Sequence, residues 1–87
     1  MLKRFWFKFC PQPFSNLNLG CGVTAYDYHD AVKLMKERIF INDPMPEVVT
    51  VIEDVDIGTL DQKHVISNME ACVFRGIWFP RGYSELE

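Results

Sequence analysis

The strictest pattern in this 87-residue chain is the alternation at residues 2–10. Three phenylalanines occupy every second position, Phe5, Phe7 and Phe9. The positions between them hold Arg4, Trp6 and Lys8. A two-residue period is that of a β-strand with one buried face. We therefore predict a strand over residues 2–10 whose phenylalanines face the core of a sheet-containing fold.

One helix is predicted, over residues 28–40, because apolar residues recur there at helical spacing. This stripe consists of Tyr28, Ala31, Val32, Met35 and Ile39. Asp27 is the predicted N-cap, since its carboxylate can accept a hydrogen bond from an unpaired N–H of the first turn. Asp30 adds negative charge at the positive end of the helix dipole.

Two further strands are predicted, at residues 47–57 and 72–79, with Glu53 marking a bulge or the end of the first. The segment 11–26 is predicted to be a long loop that can include a short strand, and the tail 81–87 to be frayed. These elements predict a single α+β domain over residues 1–87, with one helix packed on a three- to four-stranded, mainly antiparallel sheet.

Composition and charge exclude several classes of protein. Hydrophobic residues make up 48% of the chain and charged residues 24%, which excludes a disordered tail, a collagen-like repeat and a coiled coil. The formal net charge is −3, and an acidic chain is a poor match for the phosphate backbone of nucleic acid. We therefore expect no nucleic-acid partner.

Cysteine usage and the uncharged segment 9–26 bear on location. Cys10, Cys21 and Cys72 cannot all pair within one chain, which favours reduced thiols and a cytoplasmic protein. Residues 9–26 are uncharged but contain two prolines, two asparagines and two glycines, which is typical of a loop rather than a membrane span. We therefore expect no membrane partner.

The segment Leu17–Gly22 has the sequence LNLGCG, with two glycines flanking a cysteine. It resembles the glycine-rich first motif of S-adenosylmethionine-dependent methyltransferases, which implies a backbone that approaches a cofactor between a strand and a helix. Here the motif follows a proline-containing loop, and 87 residues are too few for a doubly wound sheet. We therefore predict no cofactor, and a loop whose glycines supply positive φ.

The segment 72–79 is apolar on both faces, which a sheet covered by a single helix cannot bury. Either the loop 11–26 folds over the outer face or a partner covers it, and Gly76 could let an aromatic ring such as Trp6 lie across the backbone. The predicted interface comprises Trp6, Ile52, Arg75, Ile77 and Phe79. These residues predict a small non-catalytic binding protein acting as a homodimer or with a protein partner, including an inhibitor or toxin antidote.

A second interpretation is a small enzyme or ligand-binding protein, with its site between loop 11–22 and turn 58–68. Its candidate catalytic residues are Cys21, Asp61 and His64, with Asp56 beside them. No metal site is predicted, and Asp54 with Asp56 on one face of the predicted strand is the alternative. A third interpretation, an accessory domain of a larger complex, is not separated from the first by the sequence.

Overall fold

The structure is a computed structural model that describes residues 1–13 and 15–83. Its strands are β1 (Lys3–Phe9), β2 (Cys21–Ala25), β3 (Val48–Glu53) and β4 (Gly76–Phe79), and its helix is α1 (Tyr28–Arg38). Short 3-10 turns lie at Asn16–Leu19, Ile57–Thr59 and Ile66–Asn68. The strands form one sheet in the order β3-β1-β2-β4, and every neighbouring pair is antiparallel. The predicted α+β fold, one helix on an antiparallel sheet, is confirmed.

The phenylalanines of β1 face the helix side of the sheet, as the alternation predicts. All three are buried in one cluster, the inner core, with residues of β2 and α1. In the ladder between β1 and β2, Phe5 is opposite Val23 and Phe7 is opposite Cys21. Opposed residues share a face, so Cys21 also lies on the helix side.

Helix α1 begins at the predicted cap. The Asp27 side chain accepts a hydrogen bond from the Asp30 N–H (2.8 Å), and Asp30 accepts one from the Tyr26 N–H (3.0 Å). The buried face comprises Ala31, Leu34 and Met35, so the stripe is rotated from the predicted one and leaves Tyr28 exposed. The helix packs on β2 and β4, which leaves the inner face of β3 without a helix above it.

Asp30 also anchors the segment that enters β4. Its carboxylate is bound by two nitrogens of Arg75, with Nε 2.9 Å from Oδ2. The Arg75 guanidinium holds the pKa of Asp30 at about 2, against an ordinary value of 3.8. This pair ties the N-terminus of α1 to the chain just before β4.

We expect Asp30→Asn to remove about 1 kcal/mol of unfolding free energy at pH 7, after allowance for the partial exposure of Arg75. A carboxylate whose pKa is lowered by folding stabilises the protein above its unfolded pKa. The difference between wild type and variant should therefore be complete above about pH 4 and vanish as pH falls towards 2. Urea unfolding at several pH values measures it. Asp43→Asn, in the exposed loop after α1, is the control, and an equal effect there would contradict the assignment.

The outer face of the sheet is covered by the chain itself. Residues 54–72, here named the covering segment, place Val55 and Val65 against Trp6, Trp78 and Phe79. These five buried residues form a second cluster, the outer core. The partly buried side chains packed around it are Ile57, Leu60, Met69 and Cys72. Cover was expected from loop 11–26 or from a partner, but it is supplied by residues 54–72, which include the turn predicted at residues 58–68.

The glycines of the LNLGCG segment make room for the two tryptophans. A Cβ at Gly20 would lie 2.4 Å from the Trp6 ring, and a Cβ at Gly22 would lie 2.4 Å from the Trp78 ring. The two indoles stack with their ring centroids 5.8 Å apart. Gly20 has the predicted positive φ, at +129°, whereas Gly22 lies in β2 without one, so the prediction is wrong for Gly22. Gly76 has no atom within 4 Å of an added Cβ, so the close approach expected there occurs at Gly20 and Gly22 instead.

The last two strands are shorter than predicted. Strand β3 ends at Glu53, where Asp54 takes a left-handed φ of +53° and Val55 N–H still bonds to Arg4 C=O (3.1 Å). Strand β4 begins only at Gly76, whose φ is +147°.

A bulge decides which residues of β4 face the outer core. The register shifts opposite Gly22 and Val23, so that Trp78 and Phe79 both lie in the outer core while Ile77 lies in the inner core. Strict alternation would have separated Trp78 from Phe79.

The described part of the C-terminal tail is attached to the domain. Gly82 N–H donates to the Glu70 carboxylate (3.2 Å), and Tyr83 packs against the inner core. The rest of the tail predicted to be frayed, residues 84–87, lies outside the described residues. Within the described ranges, no helix has the length and apolar character needed to cross a bilayer.

Candidate functional site

The structure separates the five predicted interface residues. Trp6 and Phe79 are buried in the outer core, and Ile77 is buried in the inner core on the other side of the sheet. Arg75 is engaged with Asp30. Ile52 alone among the five is an exposed apolar residue, with 44% of its surface accessible. The expected aromatic outer surface is therefore interior, because the covering segment lies on it.

The candidate catalytic residues also lie apart. Cys21 is fully buried in the inner core, and burial raises the pKa of its thiol far above the ordinary range. Asp61 and His64 belong to the covering segment on the opposite face of the sheet. The sheet separates the thiol from the imidazole, so Cys21 cannot act as a nucleophile with His64 as its base.

Asp61 and His64 form a local turn contact. The Asp61 carboxylate accepts hydrogen bonds from the backbone N–H groups of Lys63 and His64, and its Oδ2 lies 3.2 Å from His64 Nδ1. These contacts with His64 and Lys63 lower the pKa of Asp61. Ser67 donates its hydroxyl to the Lys63 carbonyl rather than to the imidazole. The arrangement is that of a capped turn on the surface.

The candidate metal pair has separate structural roles. Asp56 caps the turn at Ile57–Thr59 by accepting the Gly58 N–H (2.9 Å), and Asp54 holds the left-handed position after β3. Over the described residues, no three His, Cys, Asp or Glu side chains come together as a metal site would require.

Two clefts flank the covering segment, in the region where the sequence places a ligand site. The first holds about 420 Å³, and its wall combines β1, β3, the turn at Asn18–Leu19 and the first half of the covering segment. Its polar lining residues are Lys8, Asn18, Thr50, Thr59 and Asp61. The second holds about 440 Å³ and includes Ser15, His64, Asn68 and Arg81. Residues of loop 11–22 and of turn 58–68 line both clefts, and Cys21 lines neither of them.

Strand β3 is the second candidate site, because it is an open edge of the sheet. Every residue from Val49 to Glu53 is exposed, including Val49 at 63% and Val51 at 38%. The run Val48–Ile52 carries no charge and no proline. Natural edge strands are normally protected from pairing with other chains by charged residues or prolines. The charge at the end of the strand, Glu53, is paired with Lys3 at 3.0 Å.

The backbone of β3 alternates between its partner β1 and the open side. Arg4 C=O accepts a bond from the β3 side, from Val55 N–H, so alternate residues of β1 face β3. Trp6 and Lys8 follow in that series, and they lie opposite Ile52 and Thr50. The N–H and C=O groups of Val51 and Glu53 therefore point away from the sheet.

The other edge of the sheet is partly closed. Outside β4, the Glu70 N–H donates to the Trp78 carbonyl at 2.8 Å, so the covering segment bonds to that edge. Strand β4 is also shorter, with three of its four residues buried. Among the described residues, no segment pairs with the outer side of β3, so β3 is the open edge.

Val51 lies on the helix side of β3 but is exposed, because α1 packs on β2 and β4. An uncharged run of β-branched residues is typical of a central strand, and only the strand order shows that this run lies at the edge. No protein-family model, curated protein or solved structure matches the chain.

Proposed function

We propose that this chain is a small non-catalytic binding protein that associates with another protein chain by strand pairing at β3. The observation that supports the proposal is the open edge of β3, where exposed valines flank backbone groups pointing away from the sheet. An added strand satisfies those groups, and pockets or apolar neighbours beside it provide specificity. The sequence also predicted a non-catalytic binding protein, but with its binding surface on the aromatic face of the sheet rather than at this edge.

The side chains of β3 suit an apolar contact on both faces of an added strand. Val51 lies on the helix side, opposite Phe7, and Ile52 lies on the outer side, opposite Trp6. A strand added beside β3 would cover both, because neighbouring strands lie about 4.8 Å apart. Burying apolar surface contributes roughly 25 cal/mol per Å², so the contact adds to the backbone hydrogen bonds.

Site-specific photocrosslinking tests this proposal. A photoreactive residue at Val49 should crosslink to one defined protein chain in an extract of the native cell, identified by mass. The control places the same residue at Val73, which is equally exposed at 66% and lies before β4. A defined product from position 49 and none from position 73 is the expected result. No product from position 49, or the same product from both, would overturn the proposal.

The first cleft favours a second candidate function, the binding of a small ligand. It has the volume of a small-molecule site, and its wall mixes Leu19, Ile52 and Leu60 with polar side chains. Thr50→Trp would fill the cleft from the exposed face of β3. Fragments that shift the NMR signal of the Trp6 indole in wild type should then fail to bind the variant. If no fragment perturbs Trp6, this second candidate is contradicted.

The proposed location is the cytoplasm. The structure holds Cys10, Cys21 and Cys72 as free thiols, and Cys10 is exposed. Exposed free thiols are compatible with a reducing compartment.

A further inference from the structure

We infer that the second cleft binds a small organic anion, with a carboxylate or phosphate head group on an apolar body. The cleft holds about 440 Å³, within the range of small-molecule sites. Three segments that are distant in sequence line it, and they contribute Ser15, His64 with Asn68, and Arg81. None of its lining residues belongs to β3, so this inference goes beyond the proposed function.

The ionisable side chains that line the second cleft are basic. Arg81 carries a permanent positive charge, and His64 gains one when its ring is protonated. No aspartate or glutamate is among the lining residues in the described part of the chain, although the formal net charge of the chain is −3. The charge of the cleft therefore favours an anion over a cation.

Asp61 orients the His64 ring from outside this cleft. Its Oδ2 lies 3.2 Å from Nδ1 of the ring. The contacts of Asp61 with His64 and Lys63 lower the pKa of its carboxyl, so the group is ionised at neutral pH. An ionised carboxylate only accepts hydrogen bonds, so the proton of this contact belongs to Nδ1. Nε2 is then the ring nitrogen that remains for a ligand, and it donates once the ring is protonated.

Arg81 and Ser15 supply hydrogen-bond donors that have no other acceptor. Over residues 1–13 and 15–83, the Arg81 guanidinium forms no hydrogen bond or ion pair. Ser15 Oγ accepts a bond from the Leu17 N–H at 3.1 Å, which leaves its hydroxyl proton free to donate. A guanidinium binds a carboxylate or a phosphate through two parallel hydrogen bonds. These donors suit an anionic head group.

The apolar wall of the second cleft suits a ligand that is more than an inorganic ion. Leu19, Phe79 and Pro80 form this wall. Phe79 is held in the outer core against Trp6, with the ring centroids 5.7 Å apart, so its position in the wall is fixed. An apolar body placed against the wall is removed from water, which stabilises the complex.

Phenylacetate and phenyl phosphate are the probes that test the inference. In an NMR titration of wild type, at least one of them should shift the Asn68 side-chain amide and the Arg81 backbone amide in a saturable way. The Thr50 amide, which reports on the first cleft, should not move. The probe with the higher affinity identifies the head group. Benzyl alcohol keeps the ring without the charge and should bind at least about tenfold more weakly.

Arg81→Gln should weaken binding of the better probe by about tenfold or more, because it removes a charge and its paired hydrogen bonds. Arg81 is exposed, so the variant should keep the fold. Lys36→Gln makes the same change of charge at an exposed position of α1 and should bind like wild type.

Four results would overturn the inference. They are the lack of a saturable shift with either probe, equally tight binding of benzyl alcohol, equal weakening by Arg81→Gln and Lys36→Gln, and inorganic phosphate binding as tightly as phenyl phosphate. The last would show that the wall formed by Leu19, Phe79 and Pro80 contributes nothing to binding.

Discussion

Trp78→Ala is expected to lower the free energy of unfolding by about 3–5 kcal/mol, the usual range for removing a buried large aromatic residue. Trp78 is 1% exposed and lies between the sheet and the covering segment. Its indole N–H has no hydrogen-bond partner among the described residues, so the loss would come from packing rather than from a polar contact. Urea denaturation of wild type and variant measures the difference.

The control for Trp78→Ala is Phe74→Ala. Phe74 is an aromatic residue four positions before Trp78, but it precedes β4 and is exposed. Surface substitutions usually change stability by less than about 0.5 kcal/mol. A loss below about 1 kcal/mol for Trp78→Ala, or equal losses for the two variants, would show that the outer core does not hold the covering segment as described.

Gly22→Ala should also destabilise the fold, by about 1–3 kcal/mol, although it adds a single methyl group. The new Cβ would lie 2.4 Å from the Trp78 ring, whose stacking on Trp6 limits its movement. The backbone of Gly22 does not have a positive φ, so the expected loss comes from the contact and not from backbone strain. Thermal unfolding measures it, at about 4–8 °C per kcal/mol for a domain of this size.

Two further variants isolate that contact. Gly58→Ala meets only the Asp56 carboxylate, at 3.3 Å, and should change stability by less than about 0.5 kcal/mol. Trp78→Leu replaces the ring that the new Cβ of Gly22→Ala would contact with a shorter side chain. The double variant should therefore lose less stability than the sum of the two single changes. Simple additivity would contradict a direct contact between these positions.

The sequence suggested a site between two loops, but it did not give the grouping of the candidate residues around them. Asp61 and His64 are three residues apart, and a local turn is sufficient to bring them together. The position of Cys21 depends on the sheet register. Cys21 pairs opposite Phe7 and therefore lies on the helix side, away from the covering segment. A spacing in sequence does not report which face of a sheet a residue occupies unless the register is known.

The burial of the covering segment was not predicted either. Its apolar residues are dispersed among acids and turn residues, so residues 58–68 were predicted as a polar turn. In the structure Val65 is buried against the tryptophans, and Leu60 packs beside it. The two glycines were recognised as loop residues, but their contact with Trp6 and Trp78 depends on the positions of three different strands.

The sequence by itself determined the local features of this protein: the inward phenylalanines of β1, the Asp27 cap of α1 and the α+β class. Each depends on neighbouring residues and on a period of two or 3.6, which a chain expresses without reference to distant segments. The tertiary structure alone decided the strand order, the bulge in β4 and the burial of Trp6. These depend on which distant segments pack together, and that choice leaves β3 as the open edge.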